Sequence, residues 1–78
     1  MCNYKMEIKG SIGLSDYSNI YDYISIVDFN DNFTISIDGA DKENINIICS
    51  MLSDNEFRIN NEGYNNSGVY CITACKIS

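Results

Sequence analysis

From Tyr4 to Ile12 apolar and polar residues alternate. Tyr4, Met6, Ile8 and Ile12 share one face, and Lys5, Glu7 and Lys9 share the other. That pattern predicts a strand with one buried and one solvated face. The period then lengthens. Ser15 or Asp16 can start a helix, Tyr17, Ile20, Tyr21 and Ile24 recur at helical spacing, and Asp16 falls in the first turn, where the backbone dipole favours an anion. From Ile24 the period returns to two. Residues 24–29 and 33–38 flank Asn30-Asp31-Asn32, which predicts a hairpin with a short loop, with Phe33, Ile35 and Ile37 toward the core.

Asp41-Lys42-Glu43-Asn44 reads as a second helix start, followed by Ile45, Ile48, Cys49 and Leu52 on one stripe. Ile45-Asn46-Ile47 also alternates and Asp38-Gly39 is a turn signal, so a strand over 44–49 competes with the preferred helix. Glu56–Asn60 reads as a short strand, Asn61–Gly68 as a turn, and Val69–Ile77 as a strand apolar on both faces, either covered on both sides or in contact with a second copy. The predicted order is β-α-β-β-α-β with an extra strand near the end. It implies a single α+β domain over 1–78, with two helices packed on a mostly antiparallel sheet of four to five strands, and a ferredoxin-like arrangement is the natural candidate.

Composition adds charge to this frame. With 45% hydrophobic residues, six Tyr and three Phe, the chain is not a disordered acidic tail. Its core is small enough for a homodimer or a partner to contribute stability. The formal charge is −6, and Ser11–Glu62 holds ten acids against Lys42 and Arg58. A surface of this kind repels phosphate, which argues against direct binding to nucleic acid or to an anionic membrane and for a basic surface on another protein. No apolar run approaches the ~20 residues of a membrane span, and Met1–Gly10 lacks the apolar segment of a signal peptide. A cytoplasmic location and reduced thiols are expected. Asn32-Phe33-Thr34 and Asn65-Asn66-Ser67 match the glycosylation pattern, and both read as chance in an Asn-rich chain.

Little in the chain carries catalytic chemistry. There is no histidine to shuttle protons near neutral pH, and nothing beside the cysteines to activate a nucleophile. Cys2, Cys49, Cys71 and Cys75 lack zinc-knuckle spacing. Cys71 and Cys75 would share a strand face about 13 Å apart, beyond disulfide reach. Cys49 and Cys71 read as small buried apolar side chains. Asp28-Phe29-Asn30-Asp31-Asn32 opens like a calcium loop but fails at its sixth and twelfth positions, Phe33 and Gly39. Gly10-Ser11-Ile12-Gly13 lacks the remainder of a phosphate loop. The sequence therefore predicts a non-enzymatic protein with no cofactor and no metal.

What remains is the acid itself. Between Lys9 and Lys42 six aspartates occur without one basic residue. Asp28, Asp31, Asp38, Asp41 and Glu43 could form one negative ridge, with Asp16 and Asp22 at its edge and Tyr17, Tyr21, Tyr23 or Tyr64 as aromatic anchors. Tyr17 and Tyr21 read first as packing of the first helix. In short length, acidic charge, Asn and Ile richness and the run FTISIDGADKENINIICSML, the chain resembles small phage and mobile-element proteins that disable bacterial defence systems, some of which mimic nucleic acid. The resemblance implies an inhibitor of anti-CRISPR or anti-restriction type. It rests on composition and carries no family residue onto this chain. The alternative is a small regulatory or ligand-binding ferredoxin-like domain acting as a dimer.

Overall fold

A computed structural model describes residues 3–39 and 41–77. Its elements are β1 (Asn3–Lys9), α1 (Leu14–Ile26), β2 (Asn32–Asp38), α2 (Lys42–Asp54), β3 (Phe57–Tyr64) and β4 (Val69–Lys76). The class is α+β, with two helices on a four-stranded mixed sheet. The sheet order is β1-β2-β4-β3. β1 and β2 are parallel, and β4 is antiparallel to both β2 and β3. Neither the element order nor the sheet order is the predicted ferredoxin-like one.

The departure lies between Ile24 and Asn32. The expected hairpin does not form, because α1 continues through Ile26 and a connection, not a strand, leads into β2. Ile20, Ile24 and Val27 explain why. At i, i+4 and i+7 they form one helical stripe, and all three are buried, whereas Ile26 is 58% exposed. Had the period-two reading held, Ile26 would share the core with Ile24. The connection is closed by its own aspartates. Asp31 Oδ2 accepts from the Asp28 N–H at 3.0 Å and Asp28 Oδ1 accepts from the Phe29 N–H at 2.8 Å. With no returning strand between α1 and β2, β1 and β2 must pair in parallel across the helix.

The remaining elements are the expected ones with shifted bounds, and β1 ends at Lys9, short of the expected Ile12. The helix at Asp41 prevails over the competing strand because Asp41 caps it, Oδ1 accepting from the Asn44 N–H at 2.9 Å, and because Ile45, Ile48 and Leu52 give it a continuous buried stripe. Past its end, Glu56 takes a left-handed φ of 66°, where glycine is usual, and its carbonyl accepts from the Ile77 N–H at 2.8 Å. The final turn is tied by Asn65, whose Oδ1 accepts from Ser67 N–H at 2.8 Å and Val69 N–H at 3.0 Å, with Gly68 at a φ of 81°. β3 extends to Tyr64, past the expected Asn60, and takes in half of the predicted turn.

The core lies on one side of the sheet. Met6 and Ile8 of β1, Phe33, Ile35 and Ile37 of β2, and Ile72 and Ala74 of β4 pack with Ile20, Ile24, Ile48, Met51 and Leu52 of the helices. Tyr23 stacks on Phe33 at 5.0 Å between centroids and meets the edge of Tyr4 at 6.2 Å. The opposite face has no covering layer among the described residues. It carries Lys5, Glu7 and Lys9, then Thr34 and Ser36, then Cys71, Thr73 and Cys75. Cross-strand partners meet there, Thr34 with Thr73 at 3.3 Å and Ser36 with the Cys71 thiol at 3.7 Å.

Candidate functional site

The seven acidic candidates fall into distinct environments. Asp16 lies in the first turn of α1 and its Oδ2 accepts from the Gly13 N–H at 2.9 Å, while Asp41 caps α2 and Glu43 is exposed in that helix's first turn. These three are brought to one end of the molecule. Both helices begin there, and the Tyr17 hydroxyl donates to Asn44 Oδ1 at 3.4 Å between them. Asp22 is exposed on α1. Asp28 and Asp31 sit at the other end of β2, some 20 Å from Asp38 by strand rise. Asp31 is buried and Asp28 exposed. Asp38 stands beside Lys9 in the parallel register, on the open sheet face. The acids expected along a single ridge are thus distributed over two ends and two faces.

A different order emerges when charge is sorted by face. Strand alternation and register place Lys5, Lys9 and Arg58 on the open face with Glu7 and Asp38, a net +1. The helical layer, its connections and the helix-facing side chains carry the other nine acids against Lys42 and Lys76, a net −7. The two faces of one thin sheet are therefore electrostatically unlike. The acidic side is also where Leu14, Tyr21 and Ile47 are exposed, at 87%, 51% and 41%.

A second feature was invisible in the sequence. The β3–β4 register slips between Ile59 and Asn61. A strand has period two, so one extra residue turns the following side chains to the other face. Glu62 and Tyr64 thereby join Ile59 on the helix side instead of opposing it. They line an open cleft of about 820 Å³ against α2, with Lys42, Asn46, Cys49 and Tyr70. Tyr64 and Tyr70 meet edge to face at 4.9 Å, and the Cys49 thiol donates to Glu62 Oε2 at 3.4 Å. Burial first, and then the Glu62 carboxylate, push the Cys49 thiol up to about 11. Burial and then Glu62 also raise the Tyr70 phenol. A thiol held protonated in this way is a poor nucleophile and a poor metal ligand.

The cysteines are divided by the sheet. Cys49 lies on the helix side and Cys71 and Cys75 on the open face, while Cys2 lies outside the described residues. Among the described residues no group of three His, Cys, Asp or Glu side chains could hold a metal ion, and no helix is long and apolar enough to cross a membrane. No family model, no curated protein and no solved structure matches the chain.

Proposed function

We propose that this chain is a non-enzymatic protein-binding module, working in the cytoplasm, whose helical layer occupies a basic surface on another protein. The observation that carries this reading is the segregation of charge, net −7 on the helical side against net +1 on the open face. Acids that only kept the domain soluble would be interspersed with lysine and arginine on every face. Asp22 and Glu43 supply the contact charge, Asp54 extends it along α2, and Asp16 and Asp41 add their charge beside it while holding the helix starts. Leu14, Tyr21 and Ile47 supply the apolar and aromatic contacts that interfaces favour. Asp28 lies at the rim, Asp31 serves its own connection, and Asp38 faces away. A basic site of this kind on a partner commonly holds nucleic acid, so the module competes with phosphate, as phage and mobile-element inhibitors of defence proteins do.

The test is capture from a bacterial lysate at low salt and at ~0.5 M salt, where exposed charges are screened. The wild type should capture nucleic-acid-binding proteins at low salt and release them at high salt. Asp22→Lys with Glu43→Lys should abolish that capture, and Asp38→Lys on the open face should leave it intact. Equal losses from both variants would overturn the assignment of the face.

The cleft supports a second reading, a small-ligand domain built around Tyr64, Tyr70 and Glu62. A ligand selective for the folded state must raise the melting temperature, so a metabolite panel without a shift removes that reading.

A further inference from the structure

The two edges of the sheet are not equivalent. β3 is interrupted by the register slip at Ile59/Asn61 and by Gly63, devices that blunt an edge against pairing. β1 pairs with β2 without interruption along all seven of its residues and carries neither bulge nor glycine. Its outward backbone groups can be assigned. The Gly10 N–H donates to the Asp38 carbonyl, continuing the parallel ladder. In such a ladder alternate residues of a strand turn both N–H and C=O to the same neighbour. The even residues Tyr4, Met6 and Ile8 therefore face β2, and the backbones of Asn3, Lys5, Glu7 and Lys9 point away from the sheet.

We infer that β1 is a self-association edge, and that two copies of this chain pair antiparallel through β1 with Met6 opposite Met6. The inference stands apart from the acidic contact face and needs no partner protein. Its basis is charge and register. Antiparallel pairing matches outward residues with outward residues, so the permitted registers differ by where the twofold axis falls. An axis at Lys5 sets Lys5 against Lys5, and an axis at Glu7 sets Glu7 against Glu7 and Lys5 against Lys9. An axis at Met6 sets Lys5 against Glu7 twice and Asn3 against Lys9 twice. It is also the register that uses the whole strand, because Met6 is the midpoint of Asn3–Lys9. An axis at Ile8 would also pair Glu7 with Lys9, but it overlaps only residues 7–9 of the strand.

On the helix side the same register sets Tyr4 against Ile8 and Met6 against Met6, so the two cores meet along an apolar seam. Directly opposed residues of antiparallel strands point to one face. The result is one continuous sheet with the helical layers of both copies on the same side, a doubled acidic face.

Lys5 and Glu7 are exposed, so exchanging their charges tests the contact without touching the core. Sedimentation velocity from ~10 to ~500 µM should find a dimer in the wild type. Lys5→Glu and Glu7→Lys each place like charges opposite one another at both symmetric positions, and each should weaken the dimer about tenfold. Mixing the two variants should restore a mixed dimer, because every pair is then again of opposite sign, and the double exchange should restore the homodimer. Far-UV circular dichroism checks that each variant is folded. A wild type that stays monomeric over this range overturns the inference. So does a dimer indifferent to both exchanges, or one that mixing fails to rescue.

Discussion

The two faces of β2 show how this domain divides its tasks. Phe33, Ile35 and Ile37 point to the helices and are fully buried, while Thr34, Ser36 and Asp38 look out from the same seven-residue strand onto a polar, uncovered face. Adjacent residues thus belong to different physical regimes. One set excludes water, and the other interacts through half-buried hydroxyls and one exposed charge. The lesson is that stability is one-sided. The helical layer holds the core on its inner surface and acidic charge on its outer surface, so under the proposed function the same two helices serve folding and contact.

The sharpest break of that comparison is in the core. Phe33→Ala should cost about 3–5 kcal/mol, the loss expected for emptying a buried aromatic site. Phe33 sits beneath Tyr23, whose stacked ring would lose its support. Its neighbour Thr34 contributes one exposed-face contact to Thr73, so Thr34→Ala should change stability by about 1 kcal/mol or less. Urea unfolding of both variants measures the ratio. Equal costs would mean that the open face is covered in solution.

A smaller effect separates the aspartates by task. Asp31→Ala removes the acceptor for the Asp28 N–H from a buried position and should cost about 1–2 kcal/mol, and Asp41→Ala removes the α2 cap at about 1 kcal/mol. Asp22→Ala should stay within about 0.5 kcal/mol. If thermal unfolding ranks Asp22 with the other two, the division into folding acids and contact acids fails.

Much of this was legible before the structure. The strand at β1 and the core positions of β2 follow from a period that only a strand satisfies. The second helix is separated from its competing strand by the Asp41 start and the longer stripe through Leu52, and the last strand is legible from an apolar run and not from a clean alternation. The α1–β2 region departs from its expectation because Ile24-Ser25-Ile26 fits both periods. Only the longer stripe Ile20, Ile24, Val27 discriminates, and it runs across the point where the shorter period begins. The acidic surface was legible as a quantity and not as a place. Faces are set by pairing register, and register is a long-range property. The cleft was not legible at all, since a one-residue bulge decides which way Glu62 and Tyr64 point and no residue type at 59–61 announces it. Those three residues also separate the two edges of the sheet, and β1, lacking any such feature, keeps a straight ladder.

The smallest expected effect lies in that cleft and concerns pH. The Cys49 thiol is raised from 9.0 to about 11 by burial and by Glu62, whereas the unfolded chain should lose this proton near the ordinary value. Between those two values the unfolded state releases a proton that the folded state keeps, so folding stability must fall as pH rises. The contribution is fully present below about pH 9 and is lost as pH approaches 11. Its size is below about 1 kcal/mol, because the thiol is only half-buried and solvent screens the carboxylate. Comparing the pH dependence of the melting temperature in the wild type and in Cys49→Ala isolates the term, and the variant's curve should be flatter over that window alone. Alkylation gives an independent reading on the native protein. At pH 8 a thiol titrating near 11 holds about a hundredfold less thiolate than one at 9, so Cys49 should label slowly. Glu62→Gln removes the neighbouring negative charge and should speed that labelling while leaving Cys71 and Cys75, across the sheet, unchanged. Rapid labelling of Cys49 in the wild type would mean that the burial and the Glu62 contact that raise the thiol do not both persist in solution.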